Sequence, residues 1–164
     1  MPLSSTQIGT IGENLLVNAV MKASKGRLSP FQPYADDDGL DLLFYDKQTG
    51  QSVAIQLKCR TGTLHKAKSE ERGNVAHFQV RQATFNASRR AYLVAALCDS
   101  DLSQFETTWF IPMDQLPTVV KDIAGKWVIR PNKSSTSADR YAVYRCSTVD
   151  ELTHRIIDVC EASA

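Results

Sequence analysis

One α/β domain spanning 1–164 is what the sequence predicts, on three observations. A helix-period stretch near the N-terminus and another at the C-terminus bracket the chain. Between them, short β-rich runs alternate with turn signals. The composition, 43% hydrophobic over 164 residues, is enough to build one proper core.

Ser4-x-x-Gln7 reads as a capping box, and Ile8, Ile11, Leu15, Ala19 and Ala23 follow at helical spacing. With Gly26 as a stop, the first helix is predicted over 5–25. Residues 27–38, with Pro30, Pro33 and a run of aspartates, read as a loop. LDLLFYD at 40–46 and SVAIQLK at 52–58 read as a hairpin, with KQTG as its turn. The polar, charged stretch 60–76 reads as a long loop, the kind that often carries function.

Farther along, HFQVRQ reads as a short strand and TFNASRR as a short helix. AYLVAAL reads as a buried strand and TTWFI as another. Pro112-Met113-Asp114 opens a turn or short helix through about 124. WVIR and YAVYRC are strand candidates separated by the loop NKSSTSAD. A final helix is predicted from Thr148, with Val149, Leu152, Ile156, Ile157 and Cys160 on its apolar side. There is no repeat and no clear linker.

The net charge of +1 excludes a global field that draws the chain to nucleic acid or an anionic membrane. A polyanion would have to be held by a local patch. No apolar run approaches the roughly 20 residues of a membrane span. The opening MPLSSTQIGT lacks a basic stretch followed by an apolar one, so a cytoplasmic protein is expected. Cys59, Cys98, Cys146 and Cys160 form no CxxC pair, and His65, His77 and His154 have no zinc spacing. The cysteines are expected as reduced thiols. A Gly-rich phosphate loop and a G-x-S-x-G elbow are both absent.

The hairpin carries the chemistry. Side chains alternate along a strand, so Val53, Ile55 and Leu57 share one face, and Ala54, Gln56 and Lys58 the other. Pairing Asp46 with Gln51 across the turn pairs Asp41 with Gln56. Asp41, Gln56 and Lys58 then converge, provided the register does not slip. A carboxylate and an amide carbonyl are hard oxygen donors suited to Mg2+ or Mn2+. A neighbouring lysine can orient or deprotonate a water, or offset charge on a phosphate. The plainer alternative is a hairpin whose polar face is simply in water.

Glu13 lies on the helical wheel near Leu16, Val17 and Val20, within a broad apolar arc. It either reaches water from the helix edge or points into the same cleft as Asp41. Gly9 and Gly12 stand inside the helix, where each costs about 1 kcal/mol relative to Ala. They either admit a close neighbour or mark a frayed start.

This order of a helical Glu, Gly-x-Asp, a hairpin and (E/Q)-x-Lys resembles the PD-(D/E)XK nuclease superfamily, which includes Holliday junction resolvases and restriction endonucleases. The matching residues are Glu13 in IGENLL, Asp41 in DGLDLLF, and Gln56 and Lys58 in AIQLKCR. The likeness covers roughly residues 5–120, with its informative motifs in the first 60. It implies a restriction-endonuclease-like mixed β-sheet flanked by helices, and divalent-metal-dependent cleavage of DNA. By position, Asp41, Gln56 and Glu13 would hold Mg2+ or Mn2+, and Lys58 would be the catalytic lysine. The sequence departs from the pattern in having Gln56 where a carboxylate is usual and Leu40-Asp41 in place of Pro-Asp. Nucleases of this type commonly act as dimers, so a homodimer is among the implied assemblies.

Arg60, Lys66, Lys68 and Arg72, with His65, form a basic stretch after the motif that could grip a phosphate backbone. Glu70 and Glu71 weaken its field, and a solvated loop is the alternative. Arg81, Arg89 and Arg90 read as surface charges, and Trp109 and Trp127 as core or interface aromatics. Three readings follow: a metal-dependent nuclease, a catalytically inactive nucleic-acid-binding module, and a protein-interaction domain on the same scaffold.

Overall fold

A computed structural model describes residues 2–35, 39–64, 73–82, 85–86 and 88–164. The capping box forms: the Gln7 N–H donates to Ser4 Oγ (3.2 Å) and the Ser4 N–H to Gln7 Oε1 (2.9 Å). It starts α1 (Ser5–Ala23), which stops where Gly26, at φ 78°, donates its N–H to Met21 O. The buried line of α1 is Gly12, Leu16 and Val20. The predicted stripe of Ile8, Ile11, Leu15, Ala19 and Ala23 flanks that line, half-buried.

The segment read as loop contains a strand, β1 (Leu28–Phe31), paired antiparallel to β2 (Leu42–Asp46). Pro30 is tolerated there because β1 is a sheet edge and needs no further donor. Arg27 fixes this corner. Its Nε and Nη2 donate to Asp46 Oδ1 and Oδ2 (2.9 and 2.7 Å), and Nη2 also to Glu161 Oε1 (2.8 Å). The expected hairpin follows as β2 and β3 (Ser52–Arg60).

The remaining elements are β4 (Phe78–Val80), β5 (Ala91–Cys98), β6 (Phe105–Pro112), α2 (Leu116–Val119), β7 (Lys121–Ile123), β8 (Lys126–Ile129), β9 (Arg145–Cys146) and α3 (Val149–Glu161). The fold is a mixed sheet flanked by helices. Its order is β1-β2-β3-β5-β6-β9, with β3 and β5 parallel and the other neighbours antiparallel. A second sheet, β4-β8-β7, packs on the opposite face from α1 and α3. Two apolar layers result. Leu16, Val20, Val53, Ile55, Leu57 and Ile156 fill the helix side, and Phe78, Leu93, Trp109, Ile111 and Ile129 fill the other.

Three expectations need correction. In TFNASRR, among the described residues, there is no helix: Asn86 Oδ1 accepts from the Ser88 N–H and Oγ, a local turn that competes with helical bonding. YAVYRC is mostly a 3-10 turn (Ala142–Tyr144), because the Tyr141 hydroxyl is drawn in to donate to Val119 O (2.7 Å); only Arg145–Cys146 is strand. The stretch after Pro112 forms a 3-10 turn and α2 as expected. It then enters β7, and a tight hairpin through Ala124 and Gly125, both at positive φ, leads to β8. Among the described residues no helix is long and apolar enough to cross a membrane.

Candidate functional site

β3 is an interior strand, with β2 on one side and β5 on the other. Its Val53, Ile55 and Leu57 belong to the helix-side core, whereas Ala54 packs with the second-sheet side. Gln56 and Lys58 alternate with Ala54, so they share that second face. Gln56 is 2% exposed and Lys58 half-buried. At Gln56 the alternative of a wet polar face does not hold, because a second sheet covers what a free hairpin would expose; Asp41 and Lys58 stay half-buried.

The expected register holds along the strands. The ladder runs from Leu42↔Ile55 to Tyr45↔Ser52, and the Asp46 N–H donates to Gln51 O (2.8 Å). Asp41 stands one residue before β2, and its own N–H donates to Ile55 O (2.9 Å). Its carboxylate Oδ2 accepts the Leu57 N–H at 2.5 Å. The side chain thus takes over where the backbone of β2 leaves β3.

Gly12 sets the approach of α1. A Cβ built there would lie 2.7 Å from Cys59 Sγ and 3.0 Å from Cys59 Cβ. Only glycine lets the helix sit this close to β3, so the close-neighbour reading of Gly12 is correct. A Cβ at Gly9 would meet nothing within 4 Å. Glu13, next to Gly12, is half-buried.

Glu13, Asp41 and Lys58 line one open cleft of about 830 Å³, together with Arg60. Three segments far apart in sequence meet there: α1, the entry to β2, and the end of β3. Gln56 is not among the lining residues; it lies beneath them, in the layer that β5 and the second sheet close. The opposite wall comes from Gln79, Arg81 and Gln82 at β4 and from Gly125, Lys126 and Trp127 at the β7–β8 hairpin. Lys126 was not singled out by the sequence, and Arg81 and Trp127 were read as surface charge and packing. Their place in the cleft depends on where β7–β8 folds back, which no local pattern encodes. Trp127 is held in place by Phe85, at a centroid distance of 5.0 Å.

Lys66, Lys68, Arg72 and His65 lie outside the described residues. Arg89 and Arg90 border a different, smaller cavity with Tyr92 and Asp114. Among the described residues, no group of three or more His, Cys, Asp or Glu side chains stands together as a metal cluster. Glu13 and Asp41 remain a pair of carboxylates in one cleft. One or two carboxylates, with waters and substrate phosphates filling the other positions, is the donor set Mg2+ accepts. The residues present therefore fit a hard divalent cation.

Cys59 lines the cleft between Lys58 and Arg60, and its Sγ is 2.9 Å from Cys98 Sγ. The shared hydrogen bond lowers the Cys59 pKa and raises that of Cys98, whose thiol burial pushes up further. All four cysteines are free.

No protein-family model matches the chain, and no curated protein sequence does. Among solved structures, it is similar to a bacterial homing endonuclease, I-Ssp6803I, with a TM-score of 0.64 and 20% sequence identity. The match covers 98% of this chain and 96% of that one. At this identity the likeness is one of fold.

Proposed function

We propose that the cleft hydrolyses phosphodiester bonds of DNA with Mg2+ or Mn2+, and that the chain is a PD-(D/E)XK nuclease of the Q-x-K kind. The observation that carries this reading is the meeting of Glu13, Asp41 and Lys58 in one cleft. Arg81 and Lys126 stand across from them on its far wall. The similarity in fold to a homing endonuclease supports a nuclease reading.

Asp41 and Glu13 would hold the cation, with Gln56 contributing its amide oxygen from below. A cation bound there supplies Lewis-acid polarisation of a phosphoryl oxygen and a more acidic water. Lys58 orients the attacking water and offsets charge that develops on the phosphate. Arg60, Arg81 and Lys126 neutralise backbone phosphates on either side of the scissile bond. Because Gln56 brings no charge, cation affinity rests on the two carboxylates and on the substrate phosphate itself.

Duplex, single-stranded and branched DNA, each incubated with Mg2+, Mn2+ or a chelator, provide the test. Cation-dependent cleavage of at least one substrate is expected, with a loss of about 100-fold or more in Lys58→Ala. Cleavage that persists in chelator would overturn the proposal.

The buried position of Gln56 favours one second reading, a nucleic-acid-binding module without turnover. It predicts retention of DNA that weakens steeply with salt and no product with either cation.

A further inference from the structure

We propose that Cys59 and Cys98 are a redox-active pair that closes into a reversible disulfide in the floor of the cleft. The two residues sit on neighbouring parallel strands, β3 and β5, near their C-terminal ends. Both side chains point to the helix face, since Cys59 follows Leu57 by two and Cys98 follows Ala96 by two. Their sulfurs are 2.9 Å apart with no bond between them. A disulfide needs about 2.05 Å, so closure requires under about 1 Å of sulfur movement.

The two thiols differ in access. Cys59 is half-buried and lines the open cleft, while Cys98 is fully buried. Hydrogen peroxide entering the cleft meets Cys59 first. The Cys59 thiolate attacks one peroxide oxygen, giving a sulfenic acid and releasing water after proton uptake. Cys98 sulfur then attacks the Cys59 sulfur, expelling the hydroxyl as a second water. Two thiols are oxidised and one peroxide is reduced to two waters. The hydrogen bond from Cys98 favours the thiolate on Cys59, the order this sequence requires.

Cys146 and Cys160 provide an internal control. Both are buried, and neither is paired with another sulfur. Cys146 Sγ faces the Tyr144 carbonyl, at 3.8 Å.

The test is a brief pulse of hydrogen peroxide on the folded full chain, then unfolding in denaturant with iodoacetamide to block the remaining thiols, and peptide mapping. A 2 Da loss and a Cys59–Cys98 linked peptide are expected, both reversed by dithiothreitol, with Cys146 and Cys160 alkylated as before. Cys98→Ser should instead leave Cys59 to proceed to sulfinic acid. If the wild-type chain gains oxygen at Cys59 without a linked peptide, or keeps both thiols alkylatable, the proposal fails. The readout needs no nuclease activity, so its outcome is separate from that of the cleavage assay.

Discussion

Replacing Gly12 by alanine tests how α1 is seated. A new Cβ would fall 2.7 Å from Cys59 Sγ, 3.0 Å from Cys59 Cβ and 3.7 Å from Leu57 Cδ2. The first is closer than packed atoms come and the second is tight, and both belong to a short, half-buried side chain on a central strand. The helix must therefore lift. Overpacking of this sort costs about 1–3 kcal/mol. Alanine returns up to about 1 kcal/mol of helix propensity. The net is a destabilisation of up to about 2 kcal/mol, or a Tm lower by up to about 8 °C for a chain of this size. Urea unfolding and a thermal scan measure it. Gly9→Ala is the matched control, since nothing lies within 4 Å of its Cβ, and it should be neutral or stabilising by up to about 1 kcal/mol. Adding Cys59→Ala to Gly12→Ala removes the sulfur but not the Cβ, so part of the loss should return. If Gly12→Ala is as stable as Gly9→Ala, α1 does not rest on Cys59 and the placement of Glu13 loses its support.

Acid should weaken the Arg27–Asp46 corner. The Arg27 hydrogen bonds hold the Asp46 carboxyl below the usual carboxylate range, against the opposing effect of burial. A depressed folded pKa means that the stabilisation is complete above about pH 4 and is lost as pH falls further. The stability gap between wild type and Asp46→Asn should shrink below about pH 4; a gap constant from pH 7 to pH 2 would contradict this. Gln56→Glu should destabilise the chelated protein, because a carboxylate would replace an amide that is 2% exposed, and Mn2+ should restore it. No response to Mn2+ would remove Gln56 from the cation's ligands. Lys126→Ala and Arg81→Ala should each weaken DNA binding across sequences and lower the salt slope by about 1, as measured by titration over a range of salt.

Local patterns carried the elements that local physics decides. The Ser4/Gln7 capping box, the run of apolar residues in β5 and the Thr148 cap of α3, whose Oγ accepts the Glu151 N–H, are each set by neighbours in sequence. The β2–β3 register was legible because turn length and alternation fix it together. Edge strand β1 was hidden by Pro30, which argues against a strand everywhere except at an edge. Asp41 and Lys58 were legible as one face of a hairpin. The depth of Gln56 was not, because the sheet that buries it comes from residues 78–129. The basic wall of Arg81 and Lys126 was missed for the same reason. Neither residue differs locally from an ordinary surface cation until β4 and β8 pair.

One substitution separates the observed role of Asp41 from its proposed one. Asp41 accepts the Leu57 N–H where β2 leaves β3, and in the proposed site it holds the cation. Asp41→Asn keeps an acceptor oxygen of the same reach and removes the charge. The deciding measurement is single-turnover DNA cleavage by Asp41→Asn with Mg2+ or Mn2+, alongside its unfolding free energy. Stability within about 1 kcal/mol of wild type is expected, with cleavage lower by about 100-fold or more. A variant equally stable that cleaves as fast as wild type would contradict the proposed site, leaving Asp41 as a strand cap and nothing more.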